Sequence, residues 1–176
     1  MAVTPKVFSG FSKFLYVKDT EGKFASNKYK LEIRMPKGDK EVEAFVKMLM
    51  KAHEEAGNND YKPVKDGDAY AGNNDKRRDY TKGHYTVTFK SERPPTMVDS
   101  QKQPLANKID GGDVIKVAYN AKPYDAFGGG LALYLNAVQL LEKRGGGGAD
   151  EFGTEDGFVT EAASTDEFEA TSDGDF

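Results

Sequence analysis

The sequence predicts an all-β fold with at least one helix, arranged as a small antiparallel barrel or sandwich. Two observations lead to this class. At least five segments of the 176 residues have strand character, most of them with alternating apolar and polar residues, and turn residues separate them. Only one segment has the apolar spacing of a long helix. Alternating α/β folds are therefore disfavoured, because they need a helix after nearly every strand.

The first two predicted strands form a hairpin. Residues 7–17 mix aromatic and polar side chains, with an irregularity at Gly10. In residues 28–35, apolar and charged residues alternate strictly, which is the pattern of a strand with one buried face. Residues 19–22 (DTEG) supply the turn between the two strands.

A helix is predicted over residues 40–56, with Asp39 as its N-cap and Gly57 as the residue that ends it. Apolar residues recur there at helical spacing up to His53, which is expected to lie at a solvated helix end. Residues 58–83 have no apolar periodicity and predict a long loop. Long loops in compact domains are usually functional or mobile.

Three further strands are predicted over residues 84–92, 113–121 and 131–141, with a short one near residues 96–99. Four aromatic residues of these strands are expected in the core: Tyr85, Phe89, Tyr119 and Tyr134. The element order fits an OB fold, a five-stranded antiparallel Greek-key barrel, although the helix of that fold more often lies between the third and fourth strands.

The chain divides into two parts of opposite charge. Residues 1–144 contain 25 Lys and Arg against 19 Asp and Glu, a net charge of +6, whereas residues 145–176 contain ten acids and no base. Four glycines, residues 145–148, begin the acidic part. We therefore predict an OB domain at 1–144 and a flexible glycine hinge with an acidic interaction tail at 145–176. The tail has too few apolar residues to fold alone and is predicted to be disordered.

No pattern typical of an enzyme, cofactor site or metal site is present. The chain has no cysteine, so disulfides, thiol nucleophiles and Cys-ligated metals are excluded. His53 has no second histidine four residues later, no Walker loop occurs, and the Asp- and Asn-rich stretches lack the spacing of a calcium loop. The longest apolar segment, residues 131–141, is too short for a membrane span. The protein is expected to be soluble, not exported and free of membrane contacts.

Basic and aromatic residues are interleaved in the first 144 residues, which hold 16 of the 20 aromatics. Single-stranded nucleic acid is bound by cations that follow the phosphates and by flat side chains that stack on bases. Tyr124 and Phe127 lie in a glycine-rich connection where core packing makes little demand, and they are the preferred stacking residues. The remaining candidate DNA-binding residues are Tyr70, Arg77, Arg78, Tyr80, Lys82, Lys90, Arg93, Lys116 and Lys122. The alternative is that these cations form an ordinary solvated face.

The chain ends in Asp173, Gly174, Asp175 and Phe176. An aromatic terminus among carboxylates does not improve solubility, whereas it suits a docking peptide for a basic groove with an apolar pocket. Asp173, Asp175 and Phe176 are therefore candidate partner-binding residues. The alternative is a tail that serves only solubility.

Several segments together resemble the single-stranded DNA-binding proteins of lytic podophages. They are residues 28–40 (KYKLEIRMPKGDK), residues 47–55 ending in KAHEE, residues 111–124 (GGDVIKVAYNAKPY), and the terminal DGDF after a glycine hinge. The resemblance implies an OB-fold homodimer that coats single strands during phage DNA replication, recombination and repair. It also implies an acidic tail that contacts the phage DNA polymerase and helicase-primase, in the cytoplasm of the infected bacterium.

By position, the resemblance assigns base stacking to Tyr124, a groove lysine to Lys116 and the terminal aromatic to Phe176. A different function class stays open on the residues alone. It is an acidic-tailed DNA mimic or adaptor whose OB-like body binds protein rather than nucleic acid. A nuclease would need a carboxylate cluster that the sequence does not provide.

Overall fold

The computed structural model describes residues 1–10, 12–20, 22–23, 25–57, 59–70 and 81–144. These residues form eight strands: β1 (Ala2–Val3), β2 (Val7–Ser9), β3 (Tyr29–Pro36), β4 (Val64–Asp66), β5 (His84–Ser91), β6 (Thr96–Val98), β7 (Val114–Tyr124) and β8 (Gly130–Glu142). Helix α1 spans Lys40–Glu55 and helix α2 spans Gly67–Tyr70. Two short 3₁₀ turns lie at Lys13–Leu15 and Ala126–Gly128.

Five of these strands close into a barrel, so the barrel predicted from the sequence is confirmed. Around the ring, β2 pairs with β3, β3 with β5, β5 with β8, β8 with β7, and β7 with β2. Four of the pairs are antiparallel. The fifth pair, β5 with β8, is parallel, because strand directions cannot alternate all the way around a ring of five. The three remaining strands attach outside the ring, β1 on β7, β4 on β5 and β6 on β8.

The core follows the strand alternation read from the sequence. On β3, the side chains of Leu31, Ile33 and Met35 are fully buried, and Phe89 and Tyr119 meet them from β5 and β7. The rings of Phe89 and Tyr119 lie 5.2 Å apart. Burial of such a set of large apolar side chains is the main stabilising contribution to a domain of this size.

Helix α1 packs on the barrel core through Val42, Phe45 and Leu49, and in the sequence it lies between the second and third barrel strands, β3 and β5. The Asp39 carboxylate accepts hydrogen bonds from the backbone N–H groups of Glu41 and Val42, at 2.9 and 3.1 Å. The predicted N-cap is thereby confirmed, since these donors have no partner inside the helix. Phe45, on the inner face of the helix, packs edge-on against Tyr119 with ring centroids 6.1 Å apart.

Several local expectations were wrong. The first strand ends at Ser9 instead of continuing to residue 17, and a 3₁₀ turn then places Leu15 in the core. Gly10 lies so close to β3 that a Cβ there would be 2.9 Å from the Glu32 carbonyl oxygen, and the chain leaves the barrel at this point. The predicted loop 58–83 contains β4 and α2, because Val64 is buried opposite Val87.

Three predicted environments were also wrong. Tyr134, expected in the core, is 40 % exposed, because Leu133 and Leu135 take the inward positions of β8. The run LALYLNA is apolar on both parities, so the sequence could not decide which face was buried. His53, expected in solvent, is fully buried, because both ring nitrogens have backbone partners. Tyr85 is only half-buried.

Candidate nucleic-acid interface

A cleft of about 810 Å³ runs along the outer face of β3 and β5. The segment that leads into β4 forms one wall, and the hairpin of β7 and β8 forms the other. Five lysines line this cleft: Lys28, Lys30, Lys62, Lys65 and Lys90. Three tyrosines line it as well: Tyr61, Tyr124 and Tyr134. Two acids, Asp60 and Asp66, and the hydroxyls of Thr86 and Thr88 complete its polar lining.

Strand register brings cations and a ring into one row. Lys30 on β3 lies directly opposite Lys90 on β5, and Lys90 lies opposite Tyr134 on β8. These residues have the parity opposite to Leu31 and Phe89, which point into the core. The same alternation that builds the core therefore presents the row to the cleft.

The charge of the cleft is only partly compensated. Lys30 forms an ion pair with Asp19, and Lys28 lies 3.5 Å from Glu92. Lys62, Lys65 and Lys90 have no acidic side chain within ion-pair distance among the residues that the structure describes. A surface with several unpaired cations attracts polyanions.

The clustering of lysines in the cleft destabilises the charged form of Lys90. Its side chain is exposed, but its pKa is lowered below the usual lysine value, first by desolvation and then by the charges of Lys30, Lys28 and Lys65. Both effects disfavour the charged form, and an anion bound in the cleft would reverse the second.

We expect Lys90→Gln to raise the free energy of unfolding at pH 7 by about 0.5 kcal/mol, the range of a surface substitution. The pKa of Lys90 is lower in the folded than in the unfolded chain, so its unfavourable charge is fully present below the folded pKa. Between that pKa and about 10.4, the unfolded chain keeps its proton while the folded chain loses it. The cost of the charge therefore disappears as the pH rises through this range. Urea unfolding at pH 7 and pH 10 should show an advantage for the variant that shrinks with pH. The control is Lys47→Gln on α1, which should not change the free energy of unfolding. If Lys90→Gln is no more stable than the parent at pH 7, the repulsion is contradicted.

A network of ion pairs holds the wall formed by β4. Lys37, just after β3, donates hydrogen bonds to Asp66, at 2.5 Å, and to Asp68. These bonds raise the pKa of Lys37 and lower the pKa of each carboxyl. The Gly83 N–H also donates to Asp68, at 2.7 Å. The charge of Asp66 is therefore compensated by Lys37 and not by the cleft lysines.

The three cleft tyrosines differ in their freedom. Tyr61 is 74 % exposed and Tyr134 is 40 % exposed, whereas Tyr124 is half-buried with its hydroxyl held by Asn59 at 3.0 Å. The Lys122 ammonium lies 5.8 Å from the centroid of the Tyr134 ring. Flat rings beside cations can hold a chain that carries both phosphates and bases.

The structure brings together some of the predicted site residues. Lys90 and Tyr124 line the cleft, and Lys122 reaches it through Tyr134. Four others do not line it. They are Lys82 before β5, Arg93 after β5, Lys116 on β7 opposite Gln139 of β8, and Phe127 at the tip of the β7–β8 hairpin. Phe127 is 87 % exposed and has a backbone φ of +55°.

The other predicted site residues lie outside what the structure describes. They are Arg77, Arg78, Tyr80, Asp173, Asp175 and Phe176, and the side chain of Tyr70 is not described either. Sequence reasoning missed six of the lysines and tyrosines that line the cleft: Lys28, Lys30, Lys62, Lys65, Tyr61 and Tyr134, the last of which was expected in the core. Only the first two carried a signal, because they lie on the polar parity of a clean strand.

Within the described ranges, no three His, Asp or Glu side chains lie close enough to hold a metal ion. No helix in those ranges is long and apolar enough to cross a bilayer.

Known structures resemble the barrel. The single-stranded DNA-binding protein of bacteriophage Enc34 in complex with ssDNA has a TM-score of 0.58 and 16 % identity, with 81 % of this chain and 86 % of that chain covered. A C-terminal truncation of the Enc34 protein has a TM-score of 0.56 and 17 % identity over the same shares. For gp2.5, the single-stranded DNA-binding protein encoded by bacteriophage T7, the TM-score is 0.56 and the identity 21 %, with 90 % and 97 % covered. At such identities the similarity establishes the fold.

No curated protein sequence is a significant match. The family model described as the ssDNA-binding protein of Enterobacter phage Enc34 matches residues 1–173, nearly the whole chain. The resemblance to phage single-stranded DNA-binding proteins is thereby confirmed, and the family is one of binding proteins rather than enzymes. The chain belongs to the family of phage single-stranded DNA-binding proteins represented by that of Enterobacter phage Enc34.

Proposed function

We propose that this protein coats single-stranded DNA during phage DNA replication, recombination and repair, and that the strand lies in the cleft on β3 and β5. The observation that carries the proposal is the meeting of five lysines and three tyrosines in that one cleft. The lysines bind phosphates without regard to sequence, and the tyrosines stack on bases of any kind. Family membership and the ssDNA complex of the Enc34 protein support the same ligand.

The acidic tail, residues 145–176, competes with DNA for the cleft in this proposal. It carries ten acids and no base, opposite in charge to the first 144 residues. Its starting point is anchored, because Lys143 pairs with the buried Asp113 at 3.0 Å and the Arg144 N–H donates to the same carboxylate at 2.7 Å. Thirty-two residues can extend over roughly 110 Å, enough to reach any face of the barrel.

When DNA displaces the tail, its end becomes available to other proteins. Asp173, Asp175 and Phe176 then dock on the phage DNA polymerase and helicase-primase, in the cytoplasm of the infected bacterium. The sequence resemblance supports this role and a homodimer in which one tail reaches the cleft of the partner. The division into a DNA-binding domain at 1–144 and a tail at 145–176 belongs to the same proposal.

Titration with oligo(dT) tests the function. The chain contains no Trp, so its emission comes from its nine tyrosines, three of which line the cleft. We expect saturable quenching and a log–log salt slope of about −3.5 if all five cleft lysines each neutralise one phosphate. No quenching and no retardation of oligo(dT) in a gel would favour the adaptor alternative, in which the barrel binds protein.

A further inference from the structure

Asn59 occupies a junction between the two walls of the cleft. Its side-chain Nδ2 donates to the Tyr124 hydroxyl at 3.0 Å, and its Oδ1 accepts from the Tyr61 backbone N–H at 2.9 Å. Its own backbone N–H donates to the Gly129 carbonyl at 3.2 Å. One residue thus connects the loop that carries Tyr61 with the hairpin that carries Tyr124.

His53 holds Asn59 in place from the core side. The Leu131 N–H donates to Nδ1 of His53 at 3.2 Å, so Nε2 carries the proton and donates to the Asn59 carbonyl at 2.9 Å. The imidazole is fully buried, and it links the end of α1 to the first residues of β8. The backbone of Asn59 is therefore fixed at both its N–H and its carbonyl.

The other side of the Tyr124 ring is closed by glycine backbone. A Cβ on Gly130, the strand partner of Tyr124, would lie 2.7 Å from the Tyr124 hydroxyl and 2.9 Å from Cζ. A Cβ on Gly57 would lie 2.4 Å from the Gly128 carbonyl oxygen, so the α1 exit and the hairpin tip are in direct backbone contact. The phenol of Tyr124 therefore has one hydrogen-bond donor, Asn59, and its side towards Gly130 is closely packed.

We propose that Asn59 is a positioning residue for base stacking, which holds the ring of Tyr124 and fixes the backbone that carries Tyr61. The proposal rests on the proposed function, because it concerns how the same cleft recognises single strands. Asn59 acts through the two tyrosines. A ring already fixed in its bound orientation loses less side-chain freedom when a base stacks on it.

The test compares Asn59→Ala with the parent on two strands of equal length, oligo(dT) and an abasic sugar-phosphate oligomer. We expect binding of oligo(dT) to weaken by about three- to tenfold, the range of one lost hydrogen bond. Binding of the abasic strand and the salt slope on both strands should not change, because the phosphate contacts remain. Asn107→Ala, at an exposed asparagine in the β6–β7 connection, is the matched control.

Two further variants make the test independent of the folding of Asn59→Ala. Tyr124→Phe keeps the ring but removes the accepting hydroxyl, and its loss of oligo(dT) affinity should not add to that of Asn59→Ala. Gly130→Ala places a methyl group against the Tyr124 ring and should displace it. It should weaken binding of oligo(dT) and leave binding of the abasic strand unchanged. Equal losses on both strands in these variants would overturn the positioning role.

The two levels of the proposal fail differently. If the parent itself binds oligo(dT) and the abasic strand equally well, base stacking in the cleft is wrong. If the parent prefers oligo(dT) and the preference survives in all three variants, stacking stands but Asn59 does not position the tyrosines.

Discussion

Removal of residues 145–176 should tighten binding to single-stranded DNA by about tenfold or more at low salt. A tethered segment has an effective concentration of order mM near its attachment point, so in the proposed competition even weak attraction would let the tail occupy the cleft much of the time. The tail has ten acidic side chains and the first 144 residues have a net charge of +6, and salt screens attraction between such charges. The gain should therefore shrink as salt is raised, and equilibrium titration at several salt concentrations measures it.

A chain of full length in which the ten tail acids are replaced by Asn and Gln is the matched control. If charge is the cause, this neutral-tail variant should bind DNA as tightly as the truncated chain. Deletion of Phe176 alone should leave DNA affinity nearly unchanged, because it removes no charged side chain. Competition would be refuted by a truncated chain that binds no better than the parent at any salt concentration.

The long strands and the helix could be predicted because their side chains repeat with the period of the element. Residues 28–35 correspond to β3 at Tyr29–Pro36, and residues 84–92 correspond to β5 at His84–Ser91. Residues 40–56 correspond to α1 at Lys40–Glu55. In each case one face is buried and the other is polar, so the pattern is unambiguous.

Elements that depend on one buried side chain could not be predicted. β4 has a single inward residue, Val64, within a polar and charged run, and it forms by pairing with β5 far along the chain. The end of β2 at Ser9 goes together with the close approach of Gly10 to β3. Both features depend on tertiary contacts, which no local period encodes.

The site divides in the same way. Lys122 and Tyr124 could be predicted as site residues because they are neighbours beside a connection rich in glycine. Tyr61, Lys62 and Lys65 look like loop residues in the sequence, and only the pairing of β4 with β5 turns their segment into a wall of the cleft. The sequence could therefore predict the kind of ligand better than the surface that holds it.

Replacement of Lys62, Lys65 and Lys90 by Gln should weaken oligo(dT) binding by about a hundredfold at low salt. These three lysines lack ion-pair partners among the described residues, so their removal takes away phosphate contacts without breaking a structural pair. Each lost contact should lower the magnitude of the log–log salt slope by about 0.7, a total of about 2. The barrel should stay folded, since all three side chains are exposed.

The matched control replaces Lys40, Lys47 and Lys51 by Gln. These residues carry the same charge and are exposed on α1, away from the cleft lining. Since the net charge changes equally in both variants, long-range attraction is altered alike, and the difference between them reports on the cleft itself.

The salt dependence of oligo(dT) binding in these two triple variants tests most directly whether the cleft on β3 and β5 holds the strand. The cleft location predicts that the slope of the cleft variant falls by about 2, while the α1 variant keeps a slope close to that of the parent. Equal slopes in the two variants would contradict it and would place the DNA on another face of the barrel.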